Sequence, residues 1–272
     1  MKRVALRVTR ADAEIALAEL LEIVPAGLEE VDHGDTIEYA LYGAEGELPA
    51  PAQLRAAAGV GLVEITTTEV ADDWASRWRT FHEPVTIGGR LHVRAPWHDA
   101  PPDPGLLDIV IDPAQAFGTG AHHTTRLCLE ALLELGQPSG ALVDLGCGSG
   151  VLAIAACKLG WEPVLGLDHE HESVAATRDN AAVNDVTLEA CHFDLLAGPS
   201  PSARTVVANL LRPLLLHVAA EGFGCEEPQV LVVSGLLAHE ADEVAAAFAR
   251  RGLHERTRRH SGDWAAMTLL RS

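Results

Sequence analysis

Cysteine is scarce in this chain of 272 residues, and the spacing of the cysteines matches no disulfide or metal-binding pattern. The five cysteines are odd in number and include no C-x-x-C pair. Neither a disulfide network nor a zinc site is indicated, and no bound metal is expected. The cysteines are expected to be reduced and mostly buried.

Long apolar runs are also missing. No stretch reaches the roughly 18 uninterrupted apolar residues that a membrane helix requires, although 48% of the residues are apolar. The N-terminus, M-K-R-V-A-L-R-V-T-R, interleaves charges where a signal peptide keeps an apolar stretch. The sequence therefore predicts a globular, cytoplasmic protein that does not associate with membranes.

Basic residues are few. Lysine and arginine together number 20 against 39 acidic residues, which gives a net charge of −19. This charge disfavours a broad phosphate-binding surface, so no dedicated nucleic-acid site is expected, and it suits a basic partner. Solubility, or an acidic proteome, is the alternative explanation.

The most informative stretch is A-L-V-D-L-G-C-G-S-G, residues 141–150. It begins like a buried strand, and residues 151–159 place apolar side chains at helical spacing, so the glycines lie in a strand-to-helix turn. Gly146, Gly148 and Gly150 can adopt positive φ or admit a ligand close to the backbone, and the helix start offers amide donors. Such a turn is a typical nucleotide-binding position.

Two acids narrow the choice of ligand. A dinucleotide fingerprint needs a glycine where this chain has Val151, and the G-K-[ST] of a P-loop is absent. Asp144 leads the turn and favours a cation, such as the ammonium of an amino acid, over phosphate. Asp168 ends the next strand, near the roughly 20-residue offset at which an acid binds ribose hydroxyls. An adenosyl group carrying an amino acid satisfies both, so we predict S-adenosylmethionine as the cofactor; an ordinary tight turn would not explain the two acids.

Residues 1–70 have a pattern of their own. Alternation and helical spacing predict the order β-α-β-β-α-β, which is the ferredoxin-like arrangement. The segment is acidic and holds no cluster suited to catalysis. We interpret it as a substrate-recognition domain, with a purely structural domain as the alternative.

Residues 71–112 are rich in Trp, His, Pro and Gly and are predicted to form a linker region. Val85–Ile87 and Leu91–Arg94 flank two glycines and favour a short hairpin. The aromatic residues either line an entrance to the active site or cement a domain junction.

A second informative stretch, D-P-A-Q-A-F-G-T-G-A-H-H-T-T, occupies residues 112–125. Capping of the next helix by Thr124 explains one of its threonines. It does not explain the run of Phe117, Gly118, Thr119 and Gly120. A glycine-hinged loop that carries an aromatic ring favours a lid over the cofactor.

The rest of the chain predicts five parallel strands and a C-terminal antiparallel pair, which make a doubly wound, seven-stranded Rossmann-like sheet. Asp194 follows the third strand, where it would meet adenine or merely cap a turn. Asn209 ends the fourth strand, and its side-chain carbonyl can accept a hydrogen bond from an amine or the cofactor. A simple turn residue is the alternative for Asn209.

Several stretches are recognisable together: A-F-G-T-G-x-H-x-T-T, V-D-L-G-C-G-S-G-V-L-A-I-A, G-L-D, A-A-T-R-D-N-A-A-V-N, V-V-A-N-L, S-G-L-L-A-x-E, W-x-x-x-W-x-x-F-H-x-P-V-x-I-G and G-D-W. They resemble the bacterial ribosomal protein methyltransferases of the PrmA family, from about residue 71 to the end; residues 1–70 match in layout only. The resemblance implies a class I methyltransferase domain over residues 113–272. It would transfer methyl groups from S-adenosylmethionine to lysine side chains and the N-terminal amine of a large-subunit ribosomal protein.

The same resemblance implies roles for single residues. It places cofactor contacts at Thr125, Gly146, Asp168 and Asn209, and it matches His122 and the Phe117–Gly120 run to the loop over the cofactor. With the strand-end residues, the predicted cofactor site comprises Phe117, Gly118, Thr119, Gly120, Thr125, Asp144, Gly146, Gly148, Asp168, Asp194 and Asn209. Catalytic roles fall to Asn209, which would position the amine, and to His122, the nearest base.

Three departures from the family pattern stand out. His123 replaces a usual Pro, His169-Glu170-His171 replaces I-D-P, and Arg212 stands where a small residue is common. A cation near the acceptor would disfavour a protonated lysine, so Arg212 could alter the choice of substrate. Five further arginines form a basic patch that is either solvated or faces ribosomal RNA: Arg250, Arg251, Arg256, Arg258 and Arg259.

Three functions remain open on the sequence. The first is lysine methylation of a ribosomal protein by a monomeric enzyme, and the second is N-methylation of another protein or a small amine. The third is a non-catalytic adenosyl-binding protein, which the intact Asp144, Asp168 and Asn209 argue against. Methyl transfer is an in-line displacement that needs positioning and a neutral nucleophile, so no general base is assigned beyond the weak candidate His122.

Overall fold

The structure is a computed structural model that describes residues 2–24, 28–43, 48–69, 83–113, 120, 122–136, 138–224 and 226–272. The chain divides into two compact units, Met1–His82 and Glu83–Ser272. Within the described residues, none of the helices has the length and apolar character needed to span a bilayer.

The first unit consists of β1 (Lys2–Thr9), α1 (Ala13–Ile23), β2 (Glu29–Asp32), β3 (Thr36–Gly43), α2 (Pro51–Ala58) and β4 (Leu62–Glu69). Its strands form an antiparallel sheet in the order β2-β3-β1-β4. Leu6 and Tyr39 lie opposite each other on one face, where both are buried and the Tyr39 hydroxyl donates to Ala13 O at 2.9 Å. On the other face, Glu38 accepts hydrogen bonds from Arg3 and Arg7.

The second unit begins with a small sheet of β5 (Val85–Ile87), β6 (Leu91–Arg94) and β7 (Leu107–Val110). The predicted hairpin is β5-β6, and β7, which the sequence analysis did not predict, pairs in parallel with β6. Ile87, Leu91 and Ile109 are buried in the same hydrophobic cluster as Leu129 and Ile154, which belong to the helices that follow. Part of the predicted linker region thus shares a core with the second unit.

The rest of this unit comprises α3 (His123–Glu134), β8 (Leu142–Leu145), α4 (Val151–Leu159), β9 (Val164–Asp168), α5 (His171–Val183), β10 (Glu189–His192), β11 (Thr205–Asn209), α6 (Arg212–Glu221), β12 (Val230–Leu237), α7 (Ala241–Ala249), β13 (Leu253–Ser261) and β14 (Trp264–Arg271). The strands order as β10-β9-β8-β11-β12-β14-β13. The pairs from β10 to β12 are parallel, and β14 runs antiparallel to both of its neighbours.

Successive residues of the central strands point into different cores. Val143 and Val206 belong to one buried cluster and Leu142 and Val207 to another, so both faces of the sheet are covered. This continuous burial explains the apolar runs in the sequence. The predicted α/β class with a mixed central sheet and flanking helices is confirmed. Because β8 lies between β9 and β11, chain connections diverge at its carboxyl end, which is where α/β sheets bind ligands.

Candidate active site

The glycine turn between β8 and α4 is held against β9. The amides of Gly146 and Cys147 both donate to Leu167 O, at 2.8 and 2.9 Å. Gly146, Gly148 and Gly150 have φ values of 72, 52 and 82°, as the sequence analysis anticipated. A Cβ on Gly146 would lie 2.4 Å from Leu210 Cδ2, so this position requires glycine both for its backbone and for its neighbour.

Asp144 lies beneath this turn and is fully buried. Its Oδ2 accepts from Ala153 N at 3.1 Å, whereas its Oδ1 is buried without a hydrogen-bond partner among the described residues. Burial raises the pKa of Asp144 to about 7, and the negative charge of Asp168 adds to the increase against the opposing Ala153 hydrogen bond. The carboxyl therefore has one oxygen available to a polar group that enters the turn.

Asp168 ends β9 with both carboxylate oxygens oriented by backbone amides. Oδ2 accepts from Gly148 N at 2.9 Å and Oδ1 from Glu170 N at 3.0 Å. His169 lies beside it, with Nδ1 3.4 Å from Oδ1. The carboxylate is thus fixed against the glycine turn at the crevice of the sheet.

Two polar side chains of α5 also fasten the turn, and the sequence analysis did not single them out. Thr177 Oγ1 donates to Gly148 O at 2.9 Å, and Asn180 Nδ2 donates to Ser149 O at 2.9 Å. Asn180 Oδ1 in turn accepts from Asp112 N at 3.0 Å. Both side chains are buried. Their three-residue spacing on one helix face, within A-A-T-R-D-N-A-A-V-N, was the available signal.

Asn209, at the end of β11, reaches across to α3. Its Nδ2 donates to Thr125 Oγ1 at 3.4 Å, while its Oδ1 is buried and has no partner among the described residues. The next amide, Leu210 N, donates to Ser234 O at 3.0 Å and continues the alignment of β11 with β12. The structure therefore brings Thr125 and Asn209 together and leaves the Asn209 carbonyl available as an acceptor.

His122 is the N-cap of α3, and its Nδ1 accepts from Thr124 N at 3.3 Å. Its ring stands edge-on to buried Trp264, with centroids 5.2 Å apart. Burial, together with the neighbouring His123, lowers the pKa of His122 to about 4. His122 is therefore neutral at pH 7 and a weak base. His123 extends the other way and lies 2.6 Å from Ser261 Oγ through its Nδ1.

Arg212 is ion-paired. Its Nε lies 3.1 Å from Glu240 and its Nη1 2.7 Å from Glu243. Three of the five arginines in the predicted basic patch are likewise paired with carboxylates: Arg251 with Glu227, Arg258 with Asp242 and Glu255, and Arg259 with Glu130 and Glu134. That surface presents less free positive charge than the sequence suggests.

The remaining predicted residues are less informative. Asp194 Oδ1 accepts from Leu196 N at 2.9 Å, which is the capping role considered as the alternative, and its contact with adenine stays a prediction. Gly120 has a φ of 86° and packs against Val93, where a Cβ would lie 2.7 Å from Cγ1. Phe117, Gly118 and Thr119 lie outside the described residues, so the predicted lid does too.

Thus the carboxyl ends of β8, β9 and β11 gather two carboxylates, a glycine turn and an asparagine carbonyl in one crevice. The family model described as ribosomal protein L11 methyltransferase (PrmA) matches residues 14–272.

Individual relatives extend the match. The ribosomal protein L11 methyltransferase of Geobacter metallireducens is 40% identical over 202 residues, covering 74% of this chain and 67% of that protein. That of Burkholderia lata is 36% identical over 281 residues, covering 92% and 91%. The crystal structure of a ribosomal protein L11 methylase from Lactobacillus delbrueckii subsp. bulgaricus superposes with a TM-score of 0.62 at 27% identity, covering 70% of this chain and 100% of that chain. The chain belongs to the ribosomal protein L11 methyltransferase (PrmA) family.

Proposed function

We propose that this protein is an S-adenosylmethionine-dependent N-methyltransferase that modifies lysine side chains and the N-terminal amine of ribosomal protein L11 in the large subunit. Membership of the family supports methyl transfer to ribosomal protein L11. The observation that carries the amine chemistry is Asn209 Oδ1 beside Thr125. This oxygen is buried and has no partner in the part of the chain that the structure describes, so it can accept from an N–H donor.

The residues of the crevice fit the cofactor. Asp168 would hold the ribose hydroxyls, since a carboxylate oxygen accepts more than one hydrogen bond. Asp144 Oδ1, buried without a partner among the described residues, would support the ammonium group. Gly146 and Gly148 leave the backbone open to close approach. When bound, S-adenosylmethionine supplies a methyl group activated by its positively charged sulfur.

The contribution of the protein to the reaction is to position a neutral amine. A free lysine has a pKa near 10.4, so few lysines are neutral at pH 7, and a poorly solvated slot raises that fraction. Asn209 Oδ1 would accept an N–H of the amine and direct its lone pair away from the asparagine. Because the pKa of His122 is about 4, it would remove little of the proton, and loss to water before docking is sufficient.

Further parts of the proposal concern the whole chain. The strand orders support a ferredoxin-like first unit and a doubly wound Rossmann-like sheet in the second. We assign substrate recognition to residues 1–70 and the lid to the loop containing Phe117, Gly118 and Thr119. The enzyme would act as a monomer in the cytoplasm, where its ribosomal substrate is made.

The test is transfer of labelled methyl groups to purified large-subunit proteins from a strain that lacks this methylation. Label in L11, located by mass spectrometry at lysines and the N-terminal amine and lost with Asn209→Ala, is expected. Cofactor binding without label on L11 would instead assign the enzyme to another protein or small amine. Absence of cofactor binding would overturn the proposal altogether.

A further inference from the structure

Arg212 begins α6, three residues after Asn209, and holds two carboxylates of a neighbouring segment. Glu240 lies in the turn before α7 and Glu243 in its first turn. The two ion pairs have N–O distances of 3.1 and 2.7 Å, and the Arg212 side chain is 38% exposed. The three side chains therefore form one charged cluster at the rim of the fold.

This cluster is continuous with the groups around Asn209. The backbone after Asn209 packs on Gly235, whose Cβ would lie 2.5 Å from Leu210 O. Glu240 Oε2 accepts from Leu237 N at 2.8 Å, and Leu237 pairs with Trp264 in the sheet. The Trp264 ring in turn contacts His122. Arg212 and its partners are thus connected to Asn209 and His122 through packed and hydrogen-bonded neighbours.

The net charge of this cluster would affect the pKa of a lysine that enters the site. Two unpaired carboxylates would attract a protonated lysine but would also raise its pKa and keep it unreactive. An arginine bound to both reduces each effect. We propose that Arg212 is a specificity-determining residue that offsets one of the two negative charges of Glu240 and Glu243 so that a lysine loses its proton in the site. This inference rests on the proposed function.

Other titratable groups lie on the elements that meet here. They are His122 on α3, His217 on α6, His239 and Asp242 around the start of α7, and Asp263 in the β13–β14 turn, whose carbonyl accepts from Ala238 N. Because the pKa of His122 is about 4, His122 does not titrate in the range above pH 7. The wild type and an Arg212 variant both contain all of these groups. A difference between their pH profiles therefore reports the change in charge at Arg212.

The experiment measures kcat and KM for L11 methylation from pH 7 to 10.5 in the wild type and Arg212→Met. The pKa in the kcat profile belongs to the enzyme–substrate complex. We expect its midpoint to rise by about half a unit to one unit, which is the general effect of one unit charge about 10 Å from an amine at intermediate dielectric. At pH 8 kcat should fall about 3- to 10-fold while KM also falls. At 1 M salt the difference should shrink, because screening then acts over about 3 Å.

Two further variants keep the test specific. Arg212→Met combined with Glu240→Gln and Glu243→Gln removes all three charges, so the midpoint should fall from that of Arg212→Met to the wild-type value or below it. Arg251→Met removes the ion pair of Glu227, which lies before the start of β12, at the end of the sheet opposite the crevice. This variant should leave the midpoint unchanged. An unshifted midpoint in Arg212→Met, or an equal shift in Arg251→Met, overturns the inference while the wild type still methylates L11. No transfer by the wild type overturns the proposed function and the inference together.

Discussion

Asn180 Nδ2 donates a 2.9 Å hydrogen bond to Ser149 O and so ties α5 to the glycine turn. Its Oδ1 accepts from Asp112 N, where the loop of residues 112–125 begins. One buried amide therefore connects the two stretches that the sequence analysis found most informative. Because both ends of the amide are used, this side chain fixes the separation of the turn and the loop.

Replacing Asn180 by Ala should destabilise the protein by about 1–3 kcal/mol, because the two hydrogen bonds that its buried amide makes to Ser149 O and with Asp112 N are lost. The Kd for S-adenosylmethionine should rise as well, since the turn is released. Denaturant unfolding and calorimetric titration measure the two effects. Asn184→Ala is the matched control, because Asn184, the buried C-cap residue of α5, forms hydrogen bonds with Val110 and not with the turn. Equal losses of cofactor affinity in both variants would contradict a specific role for Asn180.

Much of this crevice follows from local sequence. The apolar run before Asp144, the three glycines and the helical spacing after them define a strand, a turn and a helix with little help from the rest of the chain. Asp168 was predicted from its spacing after Asp144, and Asn209 was predicted because the carboxyl ends of neighbouring parallel strands converge. The structure shows the strands, the turn and the helix at these positions, and the contacts of the residues with a cofactor stay predictions.

What the sequence did not predict depends on distant contacts. The pairing of Arg212 with Glu240 and Glu243 joins segments that are separated by a strand and a helix. The role of Asn180 depends on the fold of α5 against the turn, and β7 is defined by its pairing with β6. The full burial of Asp144 depends on side chains from several elements, so local pattern gave its position but not its environment.

Gly146→Ala should prevent the turn from forming as it does here. A left-handed conformation alone costs a non-glycine residue roughly 1–2 kcal/mol, and a Cβ would also collide with Leu210 Cδ2 at 2.4 Å. Gly136→Ala is the control, since Gly136 has a φ of 75° and nothing within 4 Å of an added Cβ.

Gly146→Ala should therefore lose more unfolding free energy and more cofactor affinity than Gly136→Ala. Adding Leu210→Ala to that variant should recover part of the affinity by removing the collision. If the two glycine variants lose equal stability, the contact with Leu210 is not the reason for glycine at this position.

Thr125 should matter for catalysis through its hydroxyl. Asn209 Nδ2 donates to Thr125 Oγ1, which orients the amide and leaves Oδ1 without a partner among the described residues. Thr125→Val keeps the shape but removes the acceptor, so the amide can rotate, and kcat should fall by about 10-fold, as for the loss of one positioning hydrogen bond. Thr125→Ser should retain most of the activity. Steady-state kinetics distinguish them, and equal activity in the Val and Ser variants would remove the hydroxyl from the mechanism.

Asp144 should make the stability of the protein without cofactor decrease as the pH rises. Burial raises its pKa to about 7 from an ordinary value of 3.8, so between these values the folded state binds a proton that the unfolded state releases. Its stabilising contribution is complete below pH 3.8 and is lost as the pH rises towards 7, by at most about 1.4 kcal/mol for each pH unit.

The side chain that Asp144→Asn introduces stays neutral at every pH. The free energy of unfolding of this variant, compared with that of the wild type, should therefore be higher at pH 8 than at pH 5. The same variant should bind S-adenosylmethionine more weakly, because an amide cannot offset the ammonium charge. Urea unfolding at the two pH values and calorimetric titration measure these opposed effects. A difference in stability between the two proteins that is the same at pH 5 and pH 8 would show that Asp144 is ionised in the folded protein across this range, and its place beneath the turn would then require a compensating positive charge.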